Sequence, residues 1–129
     1  EAAKALGARA IPLNVSAPFH CPLMGPAAEE VREALADVQI VEPMAAVVSN
    51  VTACPTRNPE AIRGQLVEQV TGRVRWRESV QFMAGAGVTC FAEVGAGKVL
   101  TGMVKRIAPD ADARALNMPE DLEVFARNL

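Results

Sequence analysis

The single histidine, His20, is the natural candidate for moving protons near neutral pH, and three serines and three cysteines are the candidate nucleophiles beside it in the sequence. It stands in Ser16-Ala-Pro-Phe-His-Cys-Pro22, where prolines four residues apart exclude a continuous helix and interrupt any strand ladder. On residue type alone, a working imidazole and an ordinary loop histidine are both open. A rigid, proline-flanked loop between a strand and a helix favours the first. None of Ser16, Ser49 and Ser79 lies in a Gly-x-Ser-x-Gly turn. Pro18 separates Ser16 from His20, and Cys21, adjacent in an extended loop, points its side chain elsewhere. Any nucleophile that His20 serves is therefore expected from outside these residues.

Other chemistries find less support. Gly95-Ala-Gly-Lys98 sits at an expected strand-to-helix turn and invites a phosphate-loop reading, but Ala92 stands where the first glycine should be. Val99 replaces the Ser or Thr that would hold magnesium. Two glycines allowing a tight turn and close helix packing are the better account. Cys21, Cys54 and Cys90 are far apart, and with one histidine they make a zinc site improbable. They are expected as buried free thiols in a reducing cytosol. Trp76 and the methionines fall at helical spacing and are expected in the core. A net charge of -2, with Lys and Arg scattered among acids, offers no basic field for nucleic acid. No apolar run approaches the roughly 20 residues that span a membrane, and nothing in these residues reads as a secretory signal.

The elements that must position His20 are legible from periodicity. Glu1–Leu6 runs into Gly7 with no methionine and no N-cap, and reads as the last turns of a helix stopped by a glycine. The sequence is thus expected to begin inside an element, as a fragment would. Alternation over Arg9–Val15 predicts a short strand, irregular at Pro12. Leu23, Ala27, Val31 and Leu35 predict an amphipathic helix of about four turns. Ala45–Ser49 reads as a buried strand. Asn58-Pro59-Glu60 is a strong helix start, with Gly72 as its stop. A further helix is expected over Trp76–Ala86, a strand over Val88–Val94 and a helix carrying Val99, Leu100, Met103, Val104 and Ile107. A strand over Asp112–Asn117 and a helix over Pro119–Asn128 complete the pattern, the last helix using Leu122, Phe125 and Leu129. Three strands separated by helices predict an α/β layer with parallel pairing.

Two long motifs then fix a resemblance. Val15-Ser-Ala-Pro-Phe-His-Cys-Pro-Leu-Met24 resembles the histidine loop of bacterial malonyl-CoA:acyl-carrier-protein transacylases. Glu93-Val-Gly-Ala-Gly-Lys-Val-Leu-Thr-Gly-Met-Val-Lys-Arg106 resembles their C-terminal glycine turn and helix. Val48-Ser-Asn50, Gln65-Leu-Val-Glu-Gln69 and Val74-Arg-Trp76 fall in matching order between them. The resemblance implies an α/β fold, with residues 16–129 as the C-terminal part of an α/β-hydrolase-like acyltransferase core. Residues 1–15 would be the last helix and strand of a ferredoxin-like small subdomain.

By the same resemblance, His20 takes the place of the catalytic histidine and Gln69 that of the residue whose main-chain carbonyl orients it. A carbonyl in the last turn of a helix lacks an intrahelical partner and suits this task, and a backbone group should tolerate side-chain substitution. Phe19 takes the place of a phenylalanine that crowds an α-methyl group, favouring malonyl over methylmalonyl by ~1–3 kcal/mol. Arg9 falls near the expected approach of an acidic carrier protein, but a solvated surface charge is the better account of it. The implied reaction carries malonyl from malonyl-CoA, through a malonyl-serine, to the phosphopantetheine thiol of acyl carrier protein in cytoplasmic fatty acid biosynthesis, with no cofactor and no metal. The serine on its Gly-His-Ser-Leu-Gly elbow, the oxyanion hole and the malonyl-binding arginine are absent here. The partners are therefore malonyl-CoA, acyl carrier protein and the missing N-terminal part, and this chain alone is expected to be inactive. A non-catalytic carrier-binding or subunit-binding module and a polyketide-type acyltransferase segment are the alternatives.

Overall fold

The structure, a computed structural model, describes residues 1–11 and 15–128. A short helix α1, Ala2–Ala5, ends at Leu6 and Gly7, the latter with a left-handed φ of 70°. The middle of the strand expected over Arg9–Val15, residues Pro12–Asn14, lies outside the described residues, as does Leu129. Arg9–Ile11 and Val15 belong to no strand.

The second helix starts later than its apolar pattern. Pro22–Met24 forms a 3-10 turn, and α2 follows over Gly25–Ala36. Pro26, near the helix start, has no N–H to give, so the regular ladder begins only beyond it. At the other end, the last carbonyls of α2 have no partners of their own helix. Arg63 reaches this end: its Nη1 donates to the Leu35 carbonyl in the last turn, and its Nη2 donates at 2.8 Å to the carbonyl of Val38, just beyond the helix. Arg63 belongs to α3, Pro59–Thr71, so one guanidinium both caps α2 and ties the two packed helices together. Asn58 caps α3 as its sequence predicts, its Oδ1 accepting from the Ala61 N–H at 2.9 Å. Gly72 ends it. A Cβ there would lie 2.9 Å from the Glu68 carbonyl oxygen, so only glycine passes at this distance.

The expected strand over Ala45–Ser49 shrinks to β1, Val47–Val48, which pairs antiparallel with β2, Pro55–Thr56. It does not join the parallel layer predicted for all three strands. The reason is local: the Ser49 hydroxyl accepts from Val51 N–H and its carbonyl from Ala53 N–H, turning the chain back at once. The turn is then clamped to α4, Trp76–Gly85. The Asn50 carbonyl accepts from Arg75 N–H at 2.9 Å, and Arg75 Nη1 donates to the Thr52 carbonyl at 2.9 Å.

The other two expected strands do pair in parallel. In β3, Cys90–Val94, and β4, Asp112–Leu116, Phe91 lies opposite Ala113 and Val94 opposite Leu116. Helix α5, Val99–Ile107, makes the crossover, and α6, Pro119–Ala126, packs on β4. Gly95 and Gly97 make the turn before α5 with φ of 131° and 102°, which bulkier residues rarely adopt. Val80, Val104, Ala108 and Ala113 form the buried core, with Trp76, Met83 and Phe91 packed around them.

One face of this half is bare. Along β3, Phe91 and Glu93 are partly covered, whereas Cys90, Ala92 and Val94 are exposed. Cys90 on this face and Cys54 in the turn before β2 are exposed, and Cys21 in the histidine loop is only partly covered, which corrects the expectation of buried thiols. Of the methionines expected in the core, Met44, Met103 and Met118 are exposed instead, at 97%, 44% and 59%. The chain presents 9628 Å² to solvent, against roughly 6,600 Å² expected of a folded monomer of this mass.

Glu93 connects strand to helix. Its carboxylate accepts from Thr101 N–H and Thr101 Oγ1, both at 2.7 Å, and from Leu100 N–H at 3.2 Å, filling donor sites that the first turn of α5 leaves open. The Thr101 hydroxyl and amide, then Leu100, favour the charged form and hold the carboxyl below its usual 4.5. This stabilisation is full above the ordinary carboxylate range and fades as pH falls through the depressed folded value. Glu93→Gln should lower the melting temperature at pH 7 and weaken its fall below about pH 4.5, as followed by circular dichroism.

Candidate functional site

His20 is held at the end of the proline loop by backbone contacts. Phe19 N–H donates to the Ala17 carbonyl at 2.9 Å, and Cys21 Sγ donates to the Pro18 carbonyl at 3.0 Å. The histidine itself adopts φ of 57°, a left-handed conformation uncommon for a residue with a side chain. Such a backbone costs on the order of 1–3 kcal/mol and persists only where neighbours dictate it.

The dictating neighbour is α3. His20 Nδ1 lies 2.8 Å from the Gln69 carbonyl oxygen, across 49 residues of sequence. A carbonyl only accepts, so Nδ1 carries the proton and Nε2 presents a lone pair from an exposed ring. Gln69 lies in the final turn of α3, where the helix stops before an amide can reach its oxygen. The 3-10 turn after His20 packs on α3 as well, so the helix pair sets both ends of the contact.

The Gln69 side chain is also engaged. Its Nε2 donates to the Gly72 carbonyl at 3.1 Å and passes 3.5 Å from His20 Nδ1. Because Nδ1 already bears a proton, the second approach is a contact between two donors, and Gly72 is the partner that counts. Nothing in the sequence pattern signals this tie, and it qualifies the expectation that the side chain at 69 is free to vary. Gly72 likewise contributes by permitting the close approach that ends α3.

The remaining sequence candidates stand apart from the imidazole. Ser79 is 2% exposed and its hydroxyl donates to the Arg75 carbonyl at 2.9 Å. Ser49 serves its turn, and Ser16 is exposed in the loop. Among the described residues no serine or cysteine is hydrogen-bonded to His20. Phe19 is 55% exposed beside the histidine, and Arg9 is exposed. The arrangement is an oriented base with an open nitrogen and no nucleophile of its own.

No family model matches the sequence. Individual proteins do. The malonyl CoA-acyl carrier protein transacylase of Escherichia coli K12 is 49% identical over 119 residues, covering 92% of this chain and 38% of that protein. In sequence and fold, the chain belongs with the C-terminal part of malonyl-CoA:acyl-carrier-protein transacylases. The acyl-carrier-protein S-malonyltransferase of Bartonella henselae superposes with a TM-score of 0.88 at 44% identity, over 98% of this chain and 41% of that one. A type II PKS acyl-carrier protein in complex with its malonyl-transacylase matches with a TM-score of 0.86 at 43% identity, over 99% of this chain and 42% of that one. The chain thus spans about two-fifths of the length of the transacylases it matches. Their fold is the α/β acyltransferase fold, and the mixed α/β architecture here is part of it. Among the described residues no helix is long and apolar enough to cross a membrane.

Gly72→Ala tests how tightly the end of α3 holds the site. The added methyl must displace the Glu68 carbonyl and with it the turn bearing Gln69. Destabilisation of about 1–3 kcal/mol is expected from such overpacking, read by denaturant unfolding, together with loss of the hydrogen-bonded Nδ1 proton signal in NMR spectra.

Proposed function

We propose that this chain supplies the proton-transfer half of a malonyl-transfer site and that a serine borne by the remaining three-fifths of the family fold completes it. The observation that carries the reading is the 2.8 Å contact from His20 to the Gln69 carbonyl, which leaves Nε2 free to act as base. In the first half-reaction Nε2 takes the serine proton as Oγ attacks the malonyl thioester, and the imidazolium returns it to the departing CoA thiolate. In the second, Nε2 takes the proton of the carrier's phosphopantetheine thiol as that sulfur attacks the malonyl-serine, and then returns it to the serine oxygen. Both halves need a ring fixed in one tautomer, and the Gln69 carbonyl supports that.

On this reading residues 16–129 are the C-terminal part of the acyltransferase core, and residues 1–15 close a ferredoxin-like small subdomain. The partners are malonyl-CoA, acyl carrier protein and the N-terminal part, no cofactor takes part, and the site of action is the cytoplasm. Phe19 disfavours a methyl-bearing extender unit. Likeness to the transacylase of a type II PKS carrier protein favours a polyketide pathway as the second reading, with the same chemistry and a different carrier.

The test joins the N-terminal three-fifths of the Escherichia coli relative to this chain. The joined protein should malonylate a carrier protein, and this chain alone should not. His20→Ala in the joined protein should lower transfer by ~10²–10⁴-fold; unchanged transfer would sink the assignment. For Phe19→Ser, competing malonyl-CoA and methylmalonyl-CoA should shift the product ratio about 10-fold toward methylmalonyl.

A further inference from the structure

The contact between His20 and Gln69 joins two helices at one end only. It lies where the chain enters α2 and where α3 stops, so the two helices run antiparallel. The observed 2.8 Å sits within a working range of about 2.7–3.2 Å, so a slide of about half an ångström along the helix axes is enough to weaken it. Packing along the pair does little to prevent such a slide. Ala28 is the one buried residue of α2 and Val67 that of α3, and small side chains make shallow ridges. The backbone of His20 is itself held against its preference, at φ of 57°, and gives way if α2 moves.

The opposite end of the pair carries a second tie. Arg63 Nη1 donates to the Leu35 carbonyl in the last turn of α2, and Nη2 donates at 2.8 Å to the carbonyl of Val38, just beyond it. The Arg63 side chain is 24% exposed, whereas its ionic partner Glu60, 3.6 Å away, is 79% exposed. A solvated ion pair of that kind holds little, so the two carbonyls carry the clasp. A planar fork on two acceptors fixes position along the axis as well as distance. From Arg63 to Gln69 the helix rises about 9 Å without a break, and it transmits that position to the carbonyl.

We infer that Arg63 is a positioning residue for the transfer reaction: it sets the register of α2 against α3 and thereby holds His20 Nδ1 on the Gln69 carbonyl. The inference rests on the proposed function and deepens it. Arg63 is hydrogen-bonded to neither His20 nor Gln69, so its effect on the base runs through the helices alone.

The experiment uses the joined protein described above, with the His20 Nδ1 proton assigned in NMR spectra by its loss in His20→Ala. Arg63→Met keeps an unbranched stem and removes every donor. It should weaken that signal and lower kcat about 10–100-fold, with KM for malonyl-CoA unchanged, because the misplaced group is the base and not a substrate contact. Arg63→Lys offers a point donor in place of a fork and should fall between Arg63→Met and the parent in both signal and kcat. Val80→Ala, in the core around Val104, controls for stability. It should lower the melting temperature and leave the signal and kcat at the parent's level. Parental signal and kcat in Arg63→Met overturn the inference, as does an equal loss of signal in Val80→Ala. Should Arg63→Met fail to fold, Arg63→Lys decides: a weakened signal sustains the clasp and a parental one overturns it. The proton signal does not depend on turnover. A joined protein that transfers no malonyl therefore overturns the functional reading, while the signal still decides whether Arg63 sets the contact.

Discussion

A neutral carbonyl at the end of a helix decides what His20 can do. A carboxylate in that position would add a charge to the site; the Gln69 oxygen adds a fixed dipole. It leaves the ring one hydrogen-bonding choice at Nδ1 and commits Nε2 to the open side. The arrangement needs two backbones held in register: the left-handed turn at residue 20 and the final turn of α3. Both are pinned by the same helix pair, because the chain passes from His20 directly into the 3-10 turn and α2, which lies along α3.

Side chains that cap helix ends do much of the assembly. Arg63 binds the carbonyls of Leu35 and Val38 at and just beyond the end of α2 from within α3, Asn58 opens α3, and Glu93 reaches from a strand to the first turn of α5. Each replaces water at a helix terminus with a group from elsewhere in the fold and so converts a local need into a tertiary tie. Arg75 extends the pattern by joining the β1 turn to the start of α4. Among the described residues Val80 is the one large apolar side chain that is fully covered.

What the sequence made legible follows from how local each signal is. Asn58-Pro59 and Gly72 bound α3 because capping and close approach act within a few residues. The Gly95–Gly97 turn and the apolar spacing located β3, α5 and β4 for the same reason. Ala45–Ser49 misled because an apolar run states that a strand is buried without naming its partner, and the Ser49 turn chose the partner. Cys90 misled because hydrophobicity reports a preference for burial without saying which face of a strand is covered, and its face of β3 is open; Cys54 and Met103 misled because an apolar residue type does not say that a neighbour covers it. The meeting of His20 with Gln69 spans 49 residues and leaves no periodicity; it was readable only through family likeness. The tie from the Gln69 amide to Gly72 and the clasp of Arg63 on α2 were not readable at all, since each depends on where a distant backbone happens to pass.

Because the acceptor is a main-chain oxygen, its direction is encoded by the phase of α3 rather than by any one side chain. Inserting or deleting a single residue between Asn58 and Gln69 would rotate that oxygen by about 100° around the helix axis and slide it by about 1.5 Å. No substitution at position 69 has such reach. The count of eleven peptide units from cap to acceptor is thus a heritable specification in its own right, open to point replacement along most of its length and closed to any change in number.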